Sequence, residues 1–90
     1  MPATTVLRPV ITQFLADRGK GWHGPRTDPR GTLWLCPSSP AIVAVEKSLV
    51  DGTEWLHVHR FGAESTLLTL RLDDPDLLEE VGAVLDGLGV

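Results

Sequence analysis

Ninety residues are enough for one domain with a modest core and too few for two. A hydrophobic fraction of 42% with 22% charged residues excludes disorder along the whole chain. The net charge of −4 excludes the strongly basic composition typical of nucleic-acid-binding domains.

The longest apolar runs, such as Ala41 to Val45, are a few residues, too short to cross a bilayer. Met1 to Thr5 lacks the basic start and apolar stretch of a secretory signal. A single cysteine, Cys36, forbids an internal disulfide. These features together predict a cytoplasmic protein. The chain has no Tyr and no Asn but many Gly, Leu, Val, Asp and Arg. That bias points to a GC-rich genome, bacterial (actinobacterial) or phage. The charge is uneven: residues 1–30 carry five basic and two acidic side chains, residues 31–90 three basic and ten acidic. Such a split marks either an interaction surface or two ends of one chain that attract each other.

The first expected element is a helix from Pro9 to Arg18. Proline is accepted at the first helical position, and Val10, Ile11, Phe14 and Leu15 recur on one face. Gly19 supplies a left-handed stop. The residue before a proline avoids the helical region, so the segment ahead of Pro9 is expected to be extended. Residues 19–31, GKGWHGPRTDPRG, hold four glycines and two prolines and read as a long basic loop.

From Thr32 the pattern turns to strands. Four are expected: Thr32 to Cys36, Ala41 to Leu49, Thr53 to Phe61 and Ser65 to Leu72. Pro37–Pro40 and Gly62–Glu64 read as turns, and Asp51-Gly52 as a two-residue hairpin turn. Leu68, Leu70 and Leu72 alternate with Leu67, Thr69 and Arg71, as in a sheet with one buried face. Asp74 as N-cap and Pro75 at the first position open a last helix. Its apolar stripe is Leu77, Leu78, Val81, Val84, Leu85 and Leu88, with Gly87 and Gly89 suggesting a frayed end. The expected fold is therefore one α+β domain over residues 1–90: helix, four-stranded antiparallel meander, helix, with the helices packed on one sheet face.

Little in the chain carries chemistry. His57 and His59 point to the same side of a strand, and the Asp51-Gly52 turn would set Glu46 opposite His57 and Ala44 opposite His59. With His23 or Cys36 they form a weak alternative, a metal-binding or hydrolytic protein using His57 and His59, since His-x-His lacks the paired spacing of zinc motifs. A polar sheet face with a Glu46–His57 pair explains them more simply. Cys36 follows Leu33, Trp34 and Leu35 and reads as a packed thiol, not a nucleophile. The acids from Asp73 to Glu80 read as a solvated helix start. The glycines of 19–31 miss the spacing of phosphate and dinucleotide loops, and no cofactor motif stands elsewhere.

The remaining signal is aromatic. Trp55, His57, His59, Phe61 and Ile42 would share one sheet face, and Trp22 sits in the basic loop. Tryptophan is enriched at interface hot spots. The expectation is a non-enzymatic protein-interaction module, a regulator, adaptor or inhibitor, with an unidentified protein partner and a homodimer through the uncovered sheet face as a further option. A second reading is nucleic-acid binding through Arg18, Lys20, Trp22, Arg26 and Arg30, with Trp22 stacking on a base.

Overall fold

The computed structural model describes residues 3–29, 31–37, 41–60, 62 and 66–90, with the side chains of 3–6 and 28 outside that description. In chain order the elements are α1 (Ala3–Ala16), β1 (His23–Asp28), β2 (Gly31–Cys36), β3 (Ala41–Lys47), β4 (Glu54–Arg60), β5 (Thr66–Arg71) and α2 (Leu77–Leu88). The fold is α+β. Its antiparallel sheet has five strands rather than the expected four, in the order β1-β2-β3-β4-β5, so each strand pairs with its neighbours in sequence. Residues 38–40 and 63–64, within the expected turns, and Ser65, the expected start of the last strand, lie outside the described residues, as do Arg30 and Phe61.

The added strand comes from the segment expected to be a loop. β1 is an edge strand, where Pro25 has no inner partner to disappoint with its missing N–H. A register shift between His23 and Arg26 absorbs the extra residues. A Cβ added to Gly24 would lie 2.9 Å from both the Leu33 carbonyl oxygen and Trp34 Cδ1. Glycine and proline here mark close approach and an edge, not irregular chain.

The core has one parity. Trp34 and Cys36 on β2, Ala41, Val43 and Val45 on β3, and Leu56 and Val58 on β4 are all buried. Cross-strand pairs Trp34–Val43 and Val43–Val58 align them. Ile11 and Leu15 of α1 and Leu77, Val81 and Leu85 of α2 belong to the same cluster. Beside it, buried Thr32 accepts a 3.2 Å bond from the Arg8 guanidinium, and the Trp34 indole donates to Thr12 Oγ1 at 3.0 Å.

Both helices depart from the expected boundaries. α1 starts six residues before Pro9 and runs through it. Proline removes one backbone bond, but Leu7 packs on the core one turn before Ile11, so the apolar stripe continues across the proline. Val10, expected on that stripe, is 43% exposed instead. The start of α2 moves to Leu77. Asp74 makes a turn one step earlier, accepting the Asp76 amide on its side chain at 2.8 Å and the Leu77 amide on its carbonyl at 3.2 Å. The helix does not fray: Gly89, with φ of 79°, donates to Asp86 and Val90 donates to Leu85, a Schellman cap that buries Val90.

The register of the β3–β4 hairpin also differs. Asp51-Gly52 does lie at the turn, but as the end of a longer connection closed by Ser48 and Thr53. Glu46 therefore faces Trp55, Ala44 faces His57 and Ile42 faces His59. The shift is two residues, so every side chain keeps its face.

Gly31 and Gly87 test the packing in opposite directions. A Cβ on Gly31 would stand 2.0 Å from the Val45 carbonyl oxygen, whereas one on Gly87 meets open space within a helix. Chemical denaturation should show Gly31→Ala destabilised by about 1–3 kcal/mol or more and Gly87→Ala stabilised by up to about 1 kcal/mol.

Candidate functional site

The sheet face opposite the core parity consists of three rows of paired residues. The first is His23, Leu35, Ile42, His59 and Thr66. The second is Arg26, Leu33, Ala44, His57 and Thr69. In the third, Glu46, Trp55 and Arg71 lie side by side. Leu33, Leu35, Ile42, Trp55, His57 and His59 are half-buried, and Ala44 is buried; none of them belongs to the core cluster. Exposed His23, Arg26, Glu46, Thr69 and Arg71 surround them. An apolar centre inside a polar rim is the composition of a recognition surface.

The histidines are ordered within this face. His57 Nδ1 shares a 3.1 Å hydrogen bond with Thr69 Oγ1, and His59 Nδ1 lies 3.5 Å from Thr66 Oγ1. Their ring centroids are 5.7 Å apart, tilted by 42°. A shallow depression of about 170 Å³ beside His59 is floored by Leu33, Ile42 and Ala44.

The sequence-level constellations fare differently. The expected Glu46–His57 pair is replaced by Glu46–Trp55, because the hairpin connection is longer than two residues. Cys36 is 1% exposed on the core face, its thiol donating to the Lys20 carbonyl at 3.6 Å, and so stands on the other side of the sheet from the two histidines. Among the described residues no three His, Cys, Asp or Glu side chains converge as a metal site would require. Of the interface residues, Ile42, Trp55, His57 and His59 share the open face, Trp22 packs against the core, and Phe61 lies outside the described residues.

Of the basic set, Arg18 and Lys20 line one depression with Asp17 and Asp86. Arg18 bonds the Asp86 carboxylate and the Val90 carbonyl and covers the Phe14 ring. It is one of the attractions between chain ends that the uneven charge implied. Lys20 and Arg26 are exposed, and Arg30 lies outside the described residues. The Trp22 indole nitrogen is buried without a hydrogen-bond partner among the described residues, and the partly buried ring packs against the core.

Two features escaped the sequence reading. Leu33 and Leu35 join the open face; their alternation with Trp34 was legible, but the run read as uniformly apolar. The other is the β3–β4 tip, where Leu49 and Val50 are 103% and 94% exposed. Leu49 was expected inside a strand. The tip is held by its own side chains: Ser48 Oγ accepts the Val50 amide at 3.2 Å, and Asp51 accepts the Thr53 amide at 2.9 Å.

No known protein family, curated protein or solved structure matches the chain.

The tip carries a pH prediction. The hydrogen bond from the Thr53 backbone holds the Asp51 carboxyl below the ordinary aspartate range. At the start of α2, a hydrogen bond with Asp74, then desolvation and the charges of neighbouring acids, push Glu80 up. A carboxyl lowered by folding stabilises the folded state above its unfolded pKa of about 4 and loses that contribution as pH falls through the folded value. In a carboxyl NMR titration Asp51 should protonate below the ordinary aspartate range and Glu80 above the ordinary glutamate range. The Thr53 amide shift should follow Asp51.

Proposed function

We propose that the protein is a non-enzymatic interaction module that recognises a protein partner through the open face of its sheet. The observation that carries this reading is the row arrangement of Leu33, Leu35, Ile42, Trp55, His57 and His59, half-buried and outside the core cluster. The reading takes both helices to cover the opposite face. The helix residues Ile11, Leu15, Val81 and Leu85 share their cluster with Trp34, Val43 and Val58, which supports it.

A contiguous apolar surface on a small domain marks a contact site, and a tryptophan beside aliphatic side chains is a frequent energetic centre of one. Trp55 has that position, with Glu46 and Arg71 as its cross-strand neighbours. The five-stranded meander gives these side chains fixed spacing, which limits the entropy lost on binding. As a regulator, adaptor or inhibitor of this kind, the protein would act in the cytoplasm of a bacterium or a phage-infected host. Among the described residues no helix is long and apolar enough to cross a membrane.

The test is a pull-down from host lysate with the unaltered chain and with Trp55→Ala, each split into nuclease-treated and untreated halves. The expected result is one protein retained stoichiometrically by the unaltered chain in both halves and lost with Trp55→Ala, a truncation that costs binding about 2 kcal/mol or more at a hot spot. Retention that disappears with nuclease would replace this reading with nucleic-acid binding. A captured protein indifferent to Trp55→Ala would move the contact off this face.

A further inference from the structure

Leu49 and Val50 are the most exposed aliphatic side chains among the described residues; the next, Val10 and Leu67, show less than half as much of their surface. Full exposure of two adjacent aliphatic groups is unfavourable in water unless something covers them. The turn that presents them is prearranged by Ser48 and Asp51, so covering them costs little ordering. Around the tip stand Glu46, Asp51 and Glu54 against Lys47, while Arg71, beside Asp51 and Glu54, is paired with Asp73. The tip is thus an apolar knob with an acidic collar.

The complementary shape lies at the other end of the same sheet. There Leu35, Pro37, Ala41 and Ile42 wall a cleft of about 380 Å³, with His23 and Arg26 on its lining. The cleft is apolar with a basic rim. β3 runs from the cleft at Ala41 to the tip beyond Lys47, a span of about 20 Å. A tip therefore cannot reach its own cleft.

We propose that the Leu49–Val50 tip of one copy docks in the Leu35–Ile42 cleft of a second copy, its acidic collar against the basic rim. Both parts occur in every chain, apolar surface meets apolar surface, and opposite charges face each other. The contact is heterologous, so it closes as a reciprocal pair or continues from copy to copy. It shares Leu35 and Ile42 with the open face but leaves out Trp55 and His57, and it does not require a partner at Trp55. An anionic membrane is the poorer occupant for the tip, because the acidic collar would meet headgroups of its own sign.

Sedimentation equilibrium of the full chain from micromolar to millimolar concentration tests this. The unaltered protein should associate, and added salt should weaken the association. Leu49→Asp with Val50→Asp should leave a monomer over the whole range with an unchanged circular dichroism spectrum, since both positions are solvent-exposed. Arg26→Glu should weaken association by about tenfold, equivalent to about 1.4 kcal/mol. Amide shifts recorded over the same dilution should move together at residues 49–50 and at residues 35–37 and 41–42. A chain that stays monomeric at millimolar concentration overturns the proposal. So does association indifferent to the tip substitutions, or shifts confined to Trp55–His59, which would indicate sheet-face pairing instead. Binding of phosphatidylglycerol vesicles that the tip substitutions abolish would also overturn it, by assigning the tip to a membrane.

Discussion

Trp34 is the side chain on which the layers of this protein converge. It is 1% exposed, it pairs with Val43 across β2 and β3, and its indole donates to Thr12 of α1. Its ring also lies so near Gly24 that any side chain there would collide with it. One residue thereby fixes the height of α1 over the sheet and the approach of the edge strand β1. A satisfied indole N–H in a dry interior removes the desolvation penalty that an orphaned one would carry. The neighbouring Arg8–Thr32 bond repeats the arrangement one residue pair away.

Because the core claims one parity of the strands, the other parity is left to form a surface. The same alternation that buries Val43, Val45, Leu56 and Val58 turns Ile42, Ala44, His57 and His59 outward. The open face is thus a by-product of core formation in its geometry, but not in its composition. Solvent alone would not favour Leu33, Leu35, Ile42 and Trp55 there. The charged ends of the sheet add direction, with Arg26 on the cleft and Glu46, Asp51 and Glu54 toward the tip.

Much of this was legible from the residues. β2 to β4 declare themselves as apolar and β-branched runs between turn signals, β5 by alternation, and the apolar stripe of α2 is unambiguous. What stayed hidden has specific causes. β1 is masked by Gly24 and Pro25, which read as loop formers because an edge position cannot be seen in a single sequence. The start of α1 is masked by Pro9, since local rules stop a helix there and only the packing of Leu7 shows that it continues. The Asp51-Gly52 signal located the turn but not its length, and that two-residue difference dissolved the Glu46–His57 pair. The shared face of Ile42, Trp55, His57 and His59 survived because a shift of two preserves parity. Trp22 illustrates the opposite case: nothing local distinguishes an indole that packs inward from one that stacks on a base.

The contact between Gly82 and Phe14 has a consequence for the order of events as the chain folds. A Cβ at Gly82 would come within 3.2 Å of the Phe14 ring, and Arg18 of α1 reaches Asp86 and Val90 beyond it. Every strand pairing joins neighbours in sequence and can form as soon as its hairpin exists, a topology of short loops and fast closure. The docking of α2 on α1 is the opposite, a closure across about seventy residues. On the ribosome the sheet can therefore assemble while the chain is still being made. The groove that receives Gly82 waits until α2 has left the exit tunnel.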